Sequence, residues 1–155
     1  MIVNTVMQTL DWRKGIVFCK RVEHVENLAL KLRGLWIYTE VMIGNTKADE
    51  RERIRKAIIE HNWPCLIIGN VKIIGTWFDC PPLSVGYLTT AEKFDGNITQ
   101  YMGRIIRDFP WKTDCKFYDF VDSSTGILAN QAKTRLRNAK KEYPNLVVKT
   151  ILAYK

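Results

Sequence analysis

A chain of 155 residues with 46% hydrophobic, 26% charged and 11% aromatic side chains, 9 Gly and 5 Pro has the balance of a domain that buries one core, which excludes disorder, a collagen-like repeat and a multidomain machine. No run approaches the roughly 18 apolar residues of a membrane span, and Met1-Ile2-Val3-Asn4 lacks the basic-then-apolar order of a secretory leader, so no membrane partner is expected. Net charge is +8, and residues 101–155, with 11 Lys/Arg against 5 Asp/Glu, supply +6 of it; a basic surface of this size suits a phosphate-bearing polyanion, or serves solubility alone.

In chain order, residues 3–11 predict a short opening helix and the apolar run 15–19 a strand. Residues 22–33 place Val22, Val25, Leu28, Ala29 and Leu32 on one face at helical spacing. A strand is predicted over 36–42, then a helix over 47–61 with Asp49 and Glu50 in its first turn, a stripe of Ile54, Ala57, Ile58 and His61, and Pro64 as its stop. Strands follow at 65–69 and 84–89. Asn97 is a candidate cap for a helix over 97–107, a strand is predicted over 115–121, and a fourth amphipathic helix over 125–142 ends at Pro144. A last strand is predicted over 146–152. Runs such as Leu66-Ile67-Ile68 and Leu146-Val147-Val148 are apolar throughout, not alternating, so both faces should be covered. The expected fold is an α/β three-layer αβα sandwich with a mostly parallel sheet, as one domain over 1–155 whose last part, 123–155, is a basic C-terminal helix and final strand. Cys19, Cys65, Cys80 and Cys115 are widely spaced and mostly beside apolar runs, which predicts reduced, mostly buried thiols and a cytoplasmic location.

Two segments could carry chemistry. On a helix, Gln100, Gly103, Arg104 and Arg107 are 3, 4 and 7 apart and share a face, so two arginines one turn apart beside a glycine make either a solvated basic face or a fork that a phosphate can approach. The polar loop from Gly69 to Pro82 follows an apolar strand, where open α/β sheets bind ligands; Asp79 is there a ribose or water partner, or only a turn residue. Lys133, Arg135, Arg137, Lys140 and Lys141 crowd one helix against the single Glu142, either as a solvated outer face or as a phosphate track. His24 and His61 have no second ligand at metal spacing and read as packing or surface residues, so no metal site is expected. Trp36 and Trp63 flank strands and are expected to pack, whereas Trp77 and Trp111 are candidates for exposure. No arrangement for nucleophilic catalysis is present in the sequence.

Taken in order, these segments resemble the C-terminal RecA-like domain of superfamily 2 helicases. Lys14-Gly15-Ile16-Val17-Phe18-Cys19-Lys20 with its following helix is similar to motif IV, and Gly44-Asn45-Thr46 with Glu50-Arg51 to the Gly-x-Thr then Glu-Arg pattern. Ile74 to Pro81 is similar to motif V, Gln100 to Arg107 to motif VI (Q-x-x-G-R-x-x-R), and Tyr118 to Asp122 to the strand that follows. The resemblance covers about residues 14–122.

It implies a RecA-like sheet and the second half of a nucleic-acid-stimulated ATPase motor, with DNA or RNA and a first RecA-like domain, in cis or in trans, as partners. Arg107 then maps to the arginine finger and Arg104 to its companion; Gln100, Gly103, Asp79 and Gly75 map to the nucleotide side, and Asn70 with Phe18, Cys19 and Lys20 to the nucleic-acid side. Lys133 and Arg137 are added to that side from the basic helix. ATP and Mg²⁺ are the implied cofactors, both held mainly by the first half, because this sequence has neither a G-x-x-x-x-G-K-[ST] loop nor a strand-borne D-E-x-[HD]. Two positions depart from motif V: Thr76 stands where the family has an acidic residue and Trp77 where it has a glycine. The leading expectation is therefore a motor half that is inactive as an ATPase alone. The alternative is a stand-alone, non-enzymatic module that binds nucleic acid or docks on a partner; a phosphate-binding α/β domain unrelated to helicases is a third reading.

Overall fold

A computed structural model describes residues 1–62, 64–71, 74, 78–90, 97–122 and 124–150. Its helices are α1 (Ile2–Thr9), α2 (Val22–Gly34), α3 (Ala48–Glu60), α4 (Asn97–Ile106) and α5 (Gly126–Glu142), and its strands β1 (Lys14–Cys19), β2 (Tyr38–Met42), β3 (Cys65–Asn70), β4 (Leu83–Leu88) and β5 (Lys116–Asp119). The strands form one sheet in the order β2-β3-β1-β4-β5, every pair parallel, with Cys19 opposite Asn70 at the end of β1 and β3. The predicted α/β sandwich with a parallel sheet is what forms.

Alternation along each strand divides the core into two layers. Ile16, Phe18, Cys65 and Ile67 point to the side covered by α3, α4 and α5, where they meet Ile54, Ile58, Tyr101, Ile105 and Ala139. Val17, Cys19, Leu66 and Ile68 point to the other, against Val6 of α1 and Val25, Leu28 and Leu32 of α2. Both faces of β1 and β3 are thus dry, which is why their sequences show no polar alternation. Gly69 is needed for close packing: a Cβ there would lie 2.6 Å from the backbone carbonyl oxygen of Met42.

The predicted elements differ from the observed ones at three places. Residues 146–150, the described part of the expected last strand, pair with nothing as a strand, and Val147 is exposed; an apolar triplet alone does not make a strand without an unpaired neighbour beside it. In α5 the buried side chains are Arg135 and Ala139; of the apolar stripe Leu128, Ala132, Leu136 and Ala139 that the spacing predicts, only Ala139 is fully covered, and Leu136 is exposed. Arg135 pairs through Nε and one terminal nitrogen with the two oxygens of the Asp119 carboxylate of β5, at 2.9 Å each, so it belongs to the packing of α5 on the sheet and not to the solvated basic face. Trp36 is the third case. It was expected to pack, yet it is 96% exposed and adopts φ 62°. The cause is the end of α2: Trp36 N–H donates to Arg33 O and Ile37 N–H to Leu32 O, the paired bonds of a Schellman termination, which requires the left-handed conformation at the residue that Trp36 occupies. Trp63 lies outside the described residues. Three of the four cysteines are buried and Cys115 is exposed, all with free thiols; no helix of the described residues is long and apolar enough to cross a membrane.

Gly69→Ala should destabilise the domain by about 1–3 kcal/mol, because the backbone of β2 cannot yield as a side chain would. Trp36→Gly should stabilise it by about 1 kcal/mol, by relieving the left-handed strain; urea unfolding followed by circular dichroism measures both. Arg135→Ala leaves Asp119 without its partner at the α5 contact and should cost about 3 kcal/mol in the same assay, whereas Lys133→Ala on the exposed face should cost less than about 0.5 kcal/mol.

Candidate functional site

A parallel sheet has two chemically different rims, and the candidate residues fall on both. The strands all run the same way, so α4, which leaves the end of β4 and leads to the start of β5, descends from the carboxyl rim to the amino rim. Asp79 precedes the start of β4. It therefore lies with Arg107, at the foot of α4, on the amino rim, and not at the carboxyl rim where the loop reading put it.

On the amino rim the Arg107 guanidinium forms an ion pair with the Asp79 carboxylate; the side chains are 43% and 54% exposed. The two motif segments are brought together in space, as a cation in water's reach held by one carboxylate. Lys112 ties the same two segments through the backbone: its ammonium donates to Arg107 O at 2.5 Å and to Pro81 O at 3.2 Å. Burial pushes the Lys112 pKa down, with Cys115 and Asp108 acting in the opposite sense. Cys115 donates its thiol to Ile105 O at 2.7 Å, so the turn after α4 satisfies two of the carbonyls that the helix end leaves over. Beside this, Arg13 grips Asp114, with 2.5 Å to a carboxylate oxygen and 3.3 Å to the backbone carbonyl. Trp111 in the same turn is 97% exposed with φ 73°, as the sequence suggested.

Along α4, Ile98, Tyr101, Met102 and Ile105 are buried, which turns Gln100, Gly103, Arg104 and Arg107 to the opposite face. Gln100 is exposed and Arg104 half-buried. Gln100 and Arg107 stand about 10 Å apart along the axis at 1.5 Å per residue, so Gln100 does not sit beside the Arg107–Asp79 pair. Gly103 faces the residue that follows α5: a Cβ there would come 3.7 Å from the Tyr143 hydroxyl, which itself donates to Thr99 O at 3.2 Å. Gly75, together with Thr76 and Trp77, lies outside the described residues.

The carboxyl rim carries the other group. Asn70 donates its side-chain amide to Lys20 O at 2.7 Å, joining the ends of β3 and β1, and Lys20 is exposed. Phe18 and Cys19 are different: both are fully buried. The Phe18 ring stacks on Tyr101 at 4.6 Å between centroids. The Cys19 thiol lies 3.1 Å from the Thr89 hydroxyl, and burial pushes its pKa up to about 11. Neither side chain can reach nucleic acid, because each faces one of the two core layers; only the backbone of this strand end is at the rim. Lys133 and Arg137 are exposed on α5.

Two residues of these clusters, Thr89 and Lys112, escaped the sequence reading, and Thr46 and Arg51, named there only as a motif, have a structural role. Arg51 donates to Thr46 O at 2.9 Å, and Thr46 accepts from Ile43 N–H, so the Gly-x-Thr and Glu-Arg pattern is a lock on the loop after β2. Thr89 closes β4 onto Phe18 O. Lys112 could have been suspected from a basic residue just beyond a helix C-terminus, where the dipole favours cations. Among the described residues no group of three or more metal-binding side chains exists. His24 has its pKa lowered by burial, and His61 stacks on Tyr38 at 4.1 Å, as packing histidines do.

No protein-family model matches the chain. The Schizosaccharomyces pombe protein irc3, named as a mitochondrial ATP-dependent helicase, is 29% identical over 108 residues, 70% of this chain and 18% of irc3. Among solved structures, T4 UvsW superposes with a TM-score of 0.72 at 16% identity, over 91% of this chain and 32% of UvsW. The C-terminal domain of the DEAD-box protein Dbp5 gives 0.71 at 15% identity, over 94% of this chain and 78% of that domain. The chain thus spans less than a fifth of irc3 and about a third of UvsW. By superposition, it has the fold of the C-terminal RecA-like domain of superfamily 2 helicases.

Proposed function

We propose that this chain acts as the C-terminal motor half of an ATP-dependent superfamily 2 DNA or RNA helicase or translocase, closing on a first RecA-like half in cis or in trans. The observation that carries this reading is the Asp79–Arg107 pair at the amino rim: a guanidinium within reach of water, held by one exposed carboxylate, can be drawn onto a phosphate without uncovering a buried charge. The residues fit one side of a nucleotide, since they offer cations and a carboxylate but no backbone cradle for phosphates and no acidic pair for Mg²⁺. ATP, when bound between the halves, supplies the phosphoryl group and Mg²⁺ neutralises part of its charge, both held mainly by the first half. Arg107 would pass from Asp79 to the outer phosphate and there stabilise the charge that develops as the bond breaks. Asp79, released, is free to accept a hydrogen bond from the ribose. Arg104, one turn up the same face, adds positive charge behind Arg107. At the opposite rim Lys20 and the end of β3 at Asn70 meet the nucleic-acid backbone, with Lys133 and Arg137 of α5 extending the basic surface. The water-filled compartment is cytoplasmic in this reading; irc3 carries the mitochondrion in its name, and reduced thiols suit either.

Purified alone, the chain should hydrolyse no ATP above background. Supplied with a first RecA-like half, it should restore nucleic-acid-stimulated turnover, and Arg107→Ala should then lower kcat by about 10³–10⁵. Full activity of Arg107→Ala in the restored pair would overturn the finger assignment. Binding to single-stranded DNA and RNA oligonucleotides, followed by fluorescence anisotropy across salt concentrations, should lose about 0.7 in the log–log salt slope on Lys20→Ala. Cys19→Ala should leave that slope unchanged.

A further inference from the structure

We infer that Lys112 is the positioning residue that sets where Arg107 stands relative to Asp79, an assignment that rests on the reading of Arg107 as the finger. The two charged side chains come from segments far apart in the chain, and their own ion pair is exposed on both sides. An exposed pair of this kind contributes little to holding a geometry, because water screens it and long side chains lose rotamer freedom in making it. Lys112 supplies what the pair lacks. Its ammonium bonds the carbonyl of Arg107 itself and the carbonyl of Pro81, two residues beyond Asp79, so one half-buried cation spans both backbones.

The surroundings keep that cation in place. Arg107 follows the last residue of α4, where the negative end of the helix dipole and the unpaired carbonyls attract a positive charge. The turn that carries Lys112 back is closed by its own N–H on Phe109 O at 3.1 Å, and Cys115 anchors the far end of that turn on Ile105 O. The Arg13–Asp114 pair ties the same turn to the entry of β1. Cys115, Asp108 and the buried Cys80 are the charged and titratable groups that act on Lys112 besides these carbonyls. The ion pair shown for Arg107 is with Asp79, and in the proposed reading Arg107 passes from it to phosphate. A displacement of a catalytic group by about 1 Å is enough to cost on the order of 100-fold in rate, so a bridge acting on the backbone of Arg107 governs the catalytic step more than nucleotide affinity.

The test has two arms. In the chain alone, hydrogen exchange followed by mass spectrometry should show peptides spanning 78–83 and 104–112 exchanging roughly 10-fold faster in Lys112→Met than in wild type, with Lys112→Arg close to wild type. Unchanged exchange in Lys112→Met overturns the bridge itself. In the pair restored with a first RecA-like half, Lys112→Met should lower kcat for ATP roughly 10- to 100-fold with KM within about 2-fold, and Lys112→Arg should recover most of it. The same substitution in an Arg107→Ala background should have no further effect on kcat. An equal loss in both backgrounds, or a loss in KM alone, overturns the positioning role. Faster exchange in the first arm with an Arg107→Ala pair that stays fully active would instead count against the finger assignment on which this inference rests, and leave Lys112 as a bridge between two backbones.

Discussion

Parallel pairing is the constraint from which the functional geometry follows. Because all five strands point one way, every connection must carry the chain back across a face of the sheet, and loops sort themselves by whether they leave or enter a strand. That sorting puts Lys20, Asn70 and Thr89 on one rim and Asp79, Arg107, Lys112 and Asp114 on the other. The central pair β1 and β3, buried on both faces, is the rigid body that holds the rims apart.

Much of this was legible in the sequence because the signals were local. The stripes of α2 and α3 and the unbroken apolar runs of β1 and β3 follow from periodicity, and the helical spacing of Gln100, Gly103, Arg104 and Arg107 gave their common face without any knowledge of the sheet. Tertiary information was less accessible. Whether Arg135 joined the solvated face depended on Asp119 in a different element, and the spacing of basic residues alone could not reveal it. Phe18 and Cys19 read as part of a contact motif, but strand alternation sends their side chains into opposite core layers, leaving only the backbone at the rim. Asp79 appeared to follow β3 at the carboxyl rim, when its distance from Leu83 already placed it near the entry of β4.

Trp36 shows a different limit. A tryptophan beside a strand is normally read as core, yet this one occupies a left-handed backbone position that turns the side chain outward, as Trp111, expected to be exposed, also does. The left-handed requirement comes from how a helix or turn ends, which is a hydrogen-bonding matter, and it overrides the preference of the side chain for a dry environment. The Lys112 bridge was hidden for a related reason. A lysine in a turn is ordinary, and only the return of that turn over the end of α4 gives its charge two carbonyls to satisfy.

The strand order also has a consequence for how the chain is made. β1 is the first strand to be synthesised and the one in the middle of the sheet, and its partners β3 and β4 begin only at Cys65 and Leu83. At ribosomal rates of 5–20 residues per second, the strand Gly15-Ile16-Val17-Phe18-Cys19 waits for roughly 2 to 10 seconds, with both hydrogen-bonding edges open, before its first neighbour appears. Helices α1 and α2 can shelter one of its faces in that interval, but not its edges. The topology that keeps the two rims apart in the finished domain therefore leaves the edges of the nascent strand open for longer than a hairpin neighbour would.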